Sequence, residues 1–228
     1  MLKCRRMEII WHGQSCFTLK GSKATVVTDP YGDIGLKLPS LKANILTVSH
    51  DHEDHNNVAA VEDNPQLFDW PGEYEANGVM MTALNAFHYR KSEEEDEKAA
   101  ARGKTLIFHF EIDGIKVCHL GDLGHKLTDD MVEAIGDVDI LLIPAGGDST
   151  IDHKTAHQVI EQIDPRIVIP MHYKIPGLKV EADLQDVEPF LKEMGVSSSE
   201  SQEKLEVKGR SSLPEATTAY VVLEAQLG

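Results

Sequence analysis

Short apolar runs alternate with polar, Gly-punctuated gaps along the chain, and the period of each run indicates its element. Residues 7–11, 15–19 and 24–28 are rich in β-branched and aromatic side chains. Gly13 and Gly21-Ser22 separate them, which predicts three strands joined by turns. Residues 44–48 read as a buried strand, followed by strands at 79–84, 105–112, 115–120, 140–143 and 167–169. Asp113-Gly114 is a hairpin signal, because a tight two-residue turn needs positive φ at both positions. Helical spacing is sparser. Ala156, Val159, Ile160 and Ile163 share one face of a helix predicted over 154–163, with Pro165 beyond its end. Met131, Val132 and Ile135 do the same over 129–135, and Leu184, Val187, Phe190 and Leu191 form a stripe over 183–194.

Residues 91–104 break the pattern. The acidic block Glu93-Glu94-Glu95-Asp96-Glu97 is followed by Lys98 and three alanines, which reads as a surface insertion between two strands. Its position just after His88 leaves a lid over a site as the alternative. Residues 197–202 read as a further polar loop. With 228 residues and 41% hydrophobic side chains, the expectation is one domain over 1–228.

Charge and cysteine usage narrow the function classes. The net charge of −16 repels a nucleic-acid backbone, and no basic stripe is interleaved with aromatics, so no nucleic-acid partner is expected. The balance does not exclude a small anionic substrate, since bound metal ions dominate their local field. No segment approaches the ~18 consecutive apolar residues of a membrane span. The basic start, Lys3 to Arg6, lacks the apolar stretch of a signal peptide. Three scattered cysteines, Cys4, Cys16 and Cys118, suggest a reducing compartment. The expectation is a cytoplasmic protein acting on a small molecule without membrane association, with a homo-oligomer left open.

The chemistry concentrates in His50-Asp51-His52-Glu53-Asp54-His55. Eleven histidines in 228 residues put well under one in an average window of six, and this window holds three. Imidazole and carboxylate suit zinc, manganese or iron. His50 and His52 lie two apart, so at the end of an extended segment both can face one side. Asp54 and His55 follow after the chain turns and can approach a second ion from another direction. Further donors follow later apolar runs: His88 after 79–84, Asp122 after 115–120 and His172 after 167–169. Gly121 and Gly124 let the backbone turn tightly around Asp122. A single structural metal is the alternative to a catalytic pair.

These residues resemble the metallo-β-lactamase superfamily, whose signature His-x-His-x-Asp-His is matched from His50 to His55. The similarity is closest to small stand-alone hydrolases of the L-ascorbate-6-phosphate lactonase-like subgroup. It extends through Trp11-His12-Gly13-Gln14-Ser15-Cys16-Phe17, Asp29-Pro30, Pro71-Gly72-Glu73-Tyr74-Glu75, Gly121-Asp122-Leu123-Gly124-His125, Pro144-Ala145-Gly146-Gly147 and Ile169-Pro170-Met171-His172-Tyr173. The resemblance implies an α/β fold, a four-layer αββα sandwich of two mixed sheets flanked by helices, with the site at one sheet edge. It implies His50, His52 and His88 on a first metal, Asp54, His55 and His172 on a second, and Asp122 bridging both. It also implies that Asp29 orients a ligand histidine. His109 and His119 compete with His88 as donors, and both read as packed residues of their strands. His125 divides between a place near the substrate and a loop hydrogen bond. Tyr74, Tyr173 and Lys174 are candidate substrate contacts. Cys16 and Cys118 read as buried small hydrophobes.

The expected activity is that of a hydrolase with two divalent ions, zinc first, with manganese or iron as alternatives. Such a pair holds a water, lowers its pKa towards neutrality and directs the resulting hydroxide at an ester, lactone, amide or phosphodiester. Asp54 and Asp122 would place that hydroxide. A non-catalytic metal-binding or regulatory protein and an iron-dependent redox protein are the alternatives on the same fold.

Overall fold

The computed structural model describes residues 6–88, 103–197 and 200–228. Cys4, most of the acidic insertion at 91–104 and part of the 197–202 loop lie outside the described residues. In chain order the strands are β1 (Met7–Trp11), β2 (Phe17–Lys20), β3 (Thr25–Thr28), β4 (Leu41–Lys42), β5 (Ile45–Thr47), β6 (Val61–Glu62), β7 (Gln66–Phe68), β8 (Gly72–Ala76), β9 (Val79–Phe87), β10 (Lys104–Ile112), β11 (Ile115–His119), β12 (Ile140–Pro144), β13 (Ile167–Met171), β14 (Leu205–Val207) and β15 (Ala219–Tyr220). The helices are α1 (Asp129–Ile135), α2 (His153–Ile163) and α3 (Glu188–Glu193).

Two mixed sheets carry the fold. The first runs β14-β1-β2-β3-β5-β7 and the second β15-β13-β12-β11-β10-β9-β8, with β4 and β6 as a small separate pair. Period-two alternation divides the first sheet's side chains between two environments. Val26 and Ile45 join the main core, together with Ile9, Trp11, Phe108 and Phe110. Their neighbours Val27 and Leu46 join a second cluster with Tyr31, Ile34, Leu36, Leu41, Ala43 and Val61. The two mixed sheets and the helical layer on the second are those of the expected α/β sandwich, and among the described residues the covering over that second cluster is thin. It uses loop segments, β4, β6 and a 3-10 turn at Val58–Ala60.

The helices serve the second sheet. α1 connects β11 to β12 and α2 connects β12 to β13, each between parallel neighbours. Thr128 caps α1 by accepting from Met131 N, and Asp152 caps α2 by accepting from Thr155 N. Asp164 ends α2 in the left-handed region at φ 50°, and Pro165 prevents its continuation.

Strand direction positions the site. β9 and β11 both run antiparallel to β10, so they point the same way, and β11, β12 and β13 are mutually parallel. The C-terminal ends of β9, β11 and β13 therefore lie at one edge of the second sheet. The Asp113-Gly114 turn has φ of 54° and 81°, as the hairpin signal requires.

One predicted helix shrinks. Residues 183–194 are helical only over Glu188–Glu193. Pro189 has no N–H and its ring clashes with the carbonyl four residues back, so a helix cannot run through it from 183. The freed segment pairs instead, with Gln185 N donating to Gly146 O at 2.9 Å and Gln185 O accepting from Lys174 N at 2.8 Å. β9 extends to Phe87, beyond the predicted 79–84, which places His88 directly at its end.

Candidate metal centre

The loop that follows β5 presents the densest donor set. Ser49 anchors its start: its N–H and hydroxyl donate to the two carboxylate oxygens of Asp29, at 2.8 and 2.5 Å. Asp29 accepts again from His55 Nδ1 at 2.9 Å. These bonds settle what two rings offer. The Ser49 hydroxyl has spent its only proton on Asp29, so at 2.9 Å it accepts from His50 Nδ1–H. His50 Nε2 is left with a free lone pair on the side of His52. Asp29 occupies His55 Nδ1 in the same way, and only His55 Nε2 can face the centre. Asp29 itself is wholly buried at φ 41°. The structure thus places it against a histidine of the centre, as the resemblance implied.

All seven predicted donors come together. His50 Nε2 and His52 Nδ1 converge at 3.0 Å, and the His88 ring lies 4.9 Å from that of His50 and 5.1 Å from that of His52. Asp122 Oδ2 lies 3.1 Å from His88 Nε2, 3.1 Å from His172 Nε2, 3.4 Å from His55 Nε2 and 3.9 Å from His50 Nε2. His55 Nε2 is also 3.4 Å from Asp54 Oδ2. Three sets offer ligand atoms within 4.8 Å of one another: His50, His52 and His88; His50, His55 and Asp122; and Asp54, His55 and His172.

The electrostatics fit a cation. Burial lowers the His50 pKa to about 3, helped by the neighbouring His55, so His50 is neutral at physiological pH. Burial and then the nearby His88 also lower His52. His55 goes the other way: burial opposes its charge, but the Asp122 and Asp54 carboxylates outweigh burial and raise its pKa. For Asp122, burial opposes ionisation and the rings of His172 and His55 outweigh it, holding the carboxylate ionised. The field at this spot therefore favours positive charge. Two central atoms, His55 Nε2 and Asp122 Oδ1, are buried without a hydrogen-bond partner, and a bound cation would satisfy both.

His52, Asp54, His88, Asp122 and His172 line a cavity of about 700 Å³, with His50 and His55 buried behind them. Asp33, Asp51, Glu53, Asp148, Ser149, Lys179 and Glu181 line it further out. Tyr74, Tyr173 and Lys174 do not line it. Tyr74 donates its hydroxyl to Trp70 O at 2.9 Å, and the Tyr173 ring packs against Trp11 at 4.9 Å.

The remaining histidines are engaged elsewhere. His119 Nε2 donates to Ser15 O at 2.9 Å, while its Nδ1 accepts from Gly121 N at 3.1 Å. His109 bonds to Asp137 O at 3.1 Å on a sheet face. His125 accepts from Phe87 N at 3.1 Å and donates to Lys126 O at 2.8 Å, which matches the loop-bond alternative. Gln14 was missed as a site residue. It lines the cavity and donates from Nε2 to Asp54 Oδ2 at 2.7 Å. Its sequence signals are its place after Gly13, in the turn beyond the first strand, and within the Trp11–Phe17 segment that shares in the resemblance.

Two mixed sheets with a His- and Asp-rich centre at one edge define a class of metal-binding α/β sandwich. The sequence profile described as the beta-lactamase superfamily domain matches residues 8–172, and the chain belongs to the metallo-β-lactamase superfamily. It is 31% identical over 193 residues to the UPF0173 metal-dependent hydrolase of Thermoplasma acidophilum, covering 73% of this chain and 83% of that protein. A UPF0173 protein of Pyrococcus furiosus is 31% identical over 205 residues, covering 82% and 90%. A crystal structure from Thermotoga maritima, provisionally named a Zn-dependent hydrolase of the metallo-β-lactamase superfamily, shares 40% identity. It covers 96% of this chain and all of its own, with a TM-score of 0.77. Among the described residues no helix is long and apolar enough to cross a membrane.

Proposed function

We propose that this chain is a metal-dependent hydrolase of small molecules that uses two divalent ions, zinc first, to cleave an ester, lactone, amide or phosphodiester. The observation that carries the proposal is the convergence of seven donors, five of them (His52, Asp54, His88, Asp122 and His172) lining one cavity, with Asp122 in reach of both groups. His50, His52 and His88 would hold one ion, Asp54, His55 and His172 the other, and Asp122 both. The hydrolase names of the relatives support the reaction class. Both sheets supply donors to one centre, which supports one domain over 1–228.

When bound, the ions supply Lewis acidity and make water acidic near neutral pH. The chain's own residues do the rest. Asp29 and Ser49 hold the Nδ1–H groups of His55 and His50, so that each Nε2 is the atom offered to an ion, His55 after an ion displaces its second proton. Asp54 and Asp122 orient the attacking water through their carboxylates. The half-buried Asp54 and exposed His52 mark the side open to substrate.

The test is a substrate panel covering the four bond types, run on chelator-treated protein and on protein reloaded with zinc, manganese or iron. Activity is expected only after reloading. His52→Ala and Asp122→Asn are expected to lower both metal content and turnover, Asp122→Asn by at least about 100-fold. Full turnover by metal-free protein would sink the proposal.

A further inference from the structure

We propose that Gln14 is a positioning residue for one ion of the pair, acting through Asp54 and His172; the inference rests on the two-ion reading above. Gln14 is fully buried in the turn between β1 and β2. Its side chain donates from Nε2 to Asp54 Oδ2 at 2.7 Å, and its backbone carbonyl accepts from His172 N at 3.0 Å. Asp54 and His172 belong to the same donor group, with His55. No hydrogen bond joins Gln14 to His50, His52 or His88 among the described residues. One residue thus links two ligand-bearing loops that come from different sheets, and the two residues it touches belong to the same donor group.

The backbone shows how firmly that link is held. Gln14 has φ of 49° and His172 has φ of 51°, in the left-handed region that side chains other than glycine rarely adopt. Such conformations persist where the surroundings over-determine them, and they cluster at functional sites. Here every carbonyl of the turn is engaged. His12 O accepts from the Tyr31 hydroxyl, and Gly13 O accepts from Cys16 N. Gln14 O accepts from both Trp11 Nε1 and His172 N, Ser15 O from Thr28 Oγ1 and His119 Nε2, and Cys16 O from His12 N.

Conformation alone would favour glycine at position 14. The residue is instead a buried amide, aimed so that its only N–H₂ meets a carboxylate. The amide's other atom, Oε1, is left buried without a partner. A buried polar oxygen without a partner is costly, so directing the donor at Asp54 is what this side chain achieves. Hydrogen bonds of this kind to ligating carboxylates fix their rotation, and losing one typically weakens metal binding about 10–100-fold.

The experiment is a stepwise titration of metal-free protein with Zn²⁺, read by calorimetry, with Co²⁺ as a spectroscopic probe of coordination. Wild-type protein is expected to take up two ions. Gln14→Met keeps the shape and removes the donor; Gln14→Asn keeps an amide one methylene too short to reach. In each, one binding step should stay within about threefold of wild type and the other weaken about 10–100-fold, with the thermal unfolding midpoint of the metal-free protein unchanged. A merely structural role would weaken both steps together and lower that midpoint. Two wild-type steps in either soluble variant, or equal weakening of both, would overturn the proposal. A wild-type chain that takes up fewer than two ions would instead overturn the two-ion reading, and that shows before any variant is made.

Discussion

Asp122 can reach members of both donor groups because of the residue before it. Gly121 sits at φ 52°, and a Cβ there would meet Thr105 Oγ1 at 2.6 Å, Leu106 O at 2.7 Å and Ser49 Cβ at 3.0 Å. Two of these neighbours are more than packing. Thr105 Oγ1 accepts from Asp122 N at 3.2 Å, and Ser49 orients His50. A methyl group therefore pushes on the supports of two donors at once. Gly121→Ala is expected to lower metal content and to reduce turnover about 100-fold, the scale of a 1 Å misplacement in a catalytic constellation. Gly114→Ala provides the control, since its φ of 81° brings similar backbone strain with nothing within 4 Å of the added atom. Metal analysis and steady-state rates on the two variants make the comparison. Equal behaviour would mean that strain rather than crowding limits position 121.

The strands that hold these donors differ in what their side chains face. β12 is buried along its whole length, between β11, which leads to Asp122, and β13, which leads to His172. Leu142 lies in register with His119 and Ile169 and is wholly buried. Leu142→Ala is expected to destabilise the metal-free protein by about 2–5 kcal/mol, the cost of a core cavity, as read by urea unfolding. A cost under about 1 kcal/mol would show that this strand is not at the centre of the core. Continuous apolar runs such as 140–143 and 167–169 were legible in the sequence because burial on both faces leaves no other reading. So was the 129–135 helix, whose apolar spacing and Thr128 cap agree. β7, β8, β14 and β15 were not legible. All four are sheet edges; β7, β14 and β15 are only two or three residues long, and β8 begins at a glycine and carries two glutamates, so partner strands rather than their own pattern decide that they pair. The centre shows the same division. Seven donors were legible from residue chemistry and their places after apolar runs, whereas Gln14 was not, because an amide declares no ligand chemistry and its role lies in a bond to another side chain.

At the scale of the molecule, the charge around the cavity is expected to rank the substrates that reach the centre. Further out, the cavity is lined by Asp33, Asp51, Glu53, Asp148 and Glu181 against one cation among the described residues, Lys179. None of the five carboxylates is held in an ion pair among the described residues, and the chain carries −16 overall. By sequence, residues 89–102 carry four basic residues (Arg90, Lys91, Lys98 and Arg102) and five acidic ones, so they add no net positive charge to the chain. Two divalent ions among Asp54 and Asp122 would leave the floor positive beneath a negative rim. That polarity suits a substrate whose electron-rich scissile group points inward and whose outer end is neutral or cationic. A phosphorylated sugar lactone, the substrate named in the subgroup that the motifs resemble, would meet the rim with the wrong sign. Matched esters that differ only in a trimethylammonium, neutral or sulfonate end should therefore rank in that order in kcat/KM, with about tenfold or more between the extremes at low ionic strength. The ranking should narrow as salt is raised, because screening acts over about 10 Å at 0.1 M salt and the rim is solvated. A preference for the sulfonate ester, or a ranking indifferent to salt, would show that the ions' charge rather than the rim's governs selection.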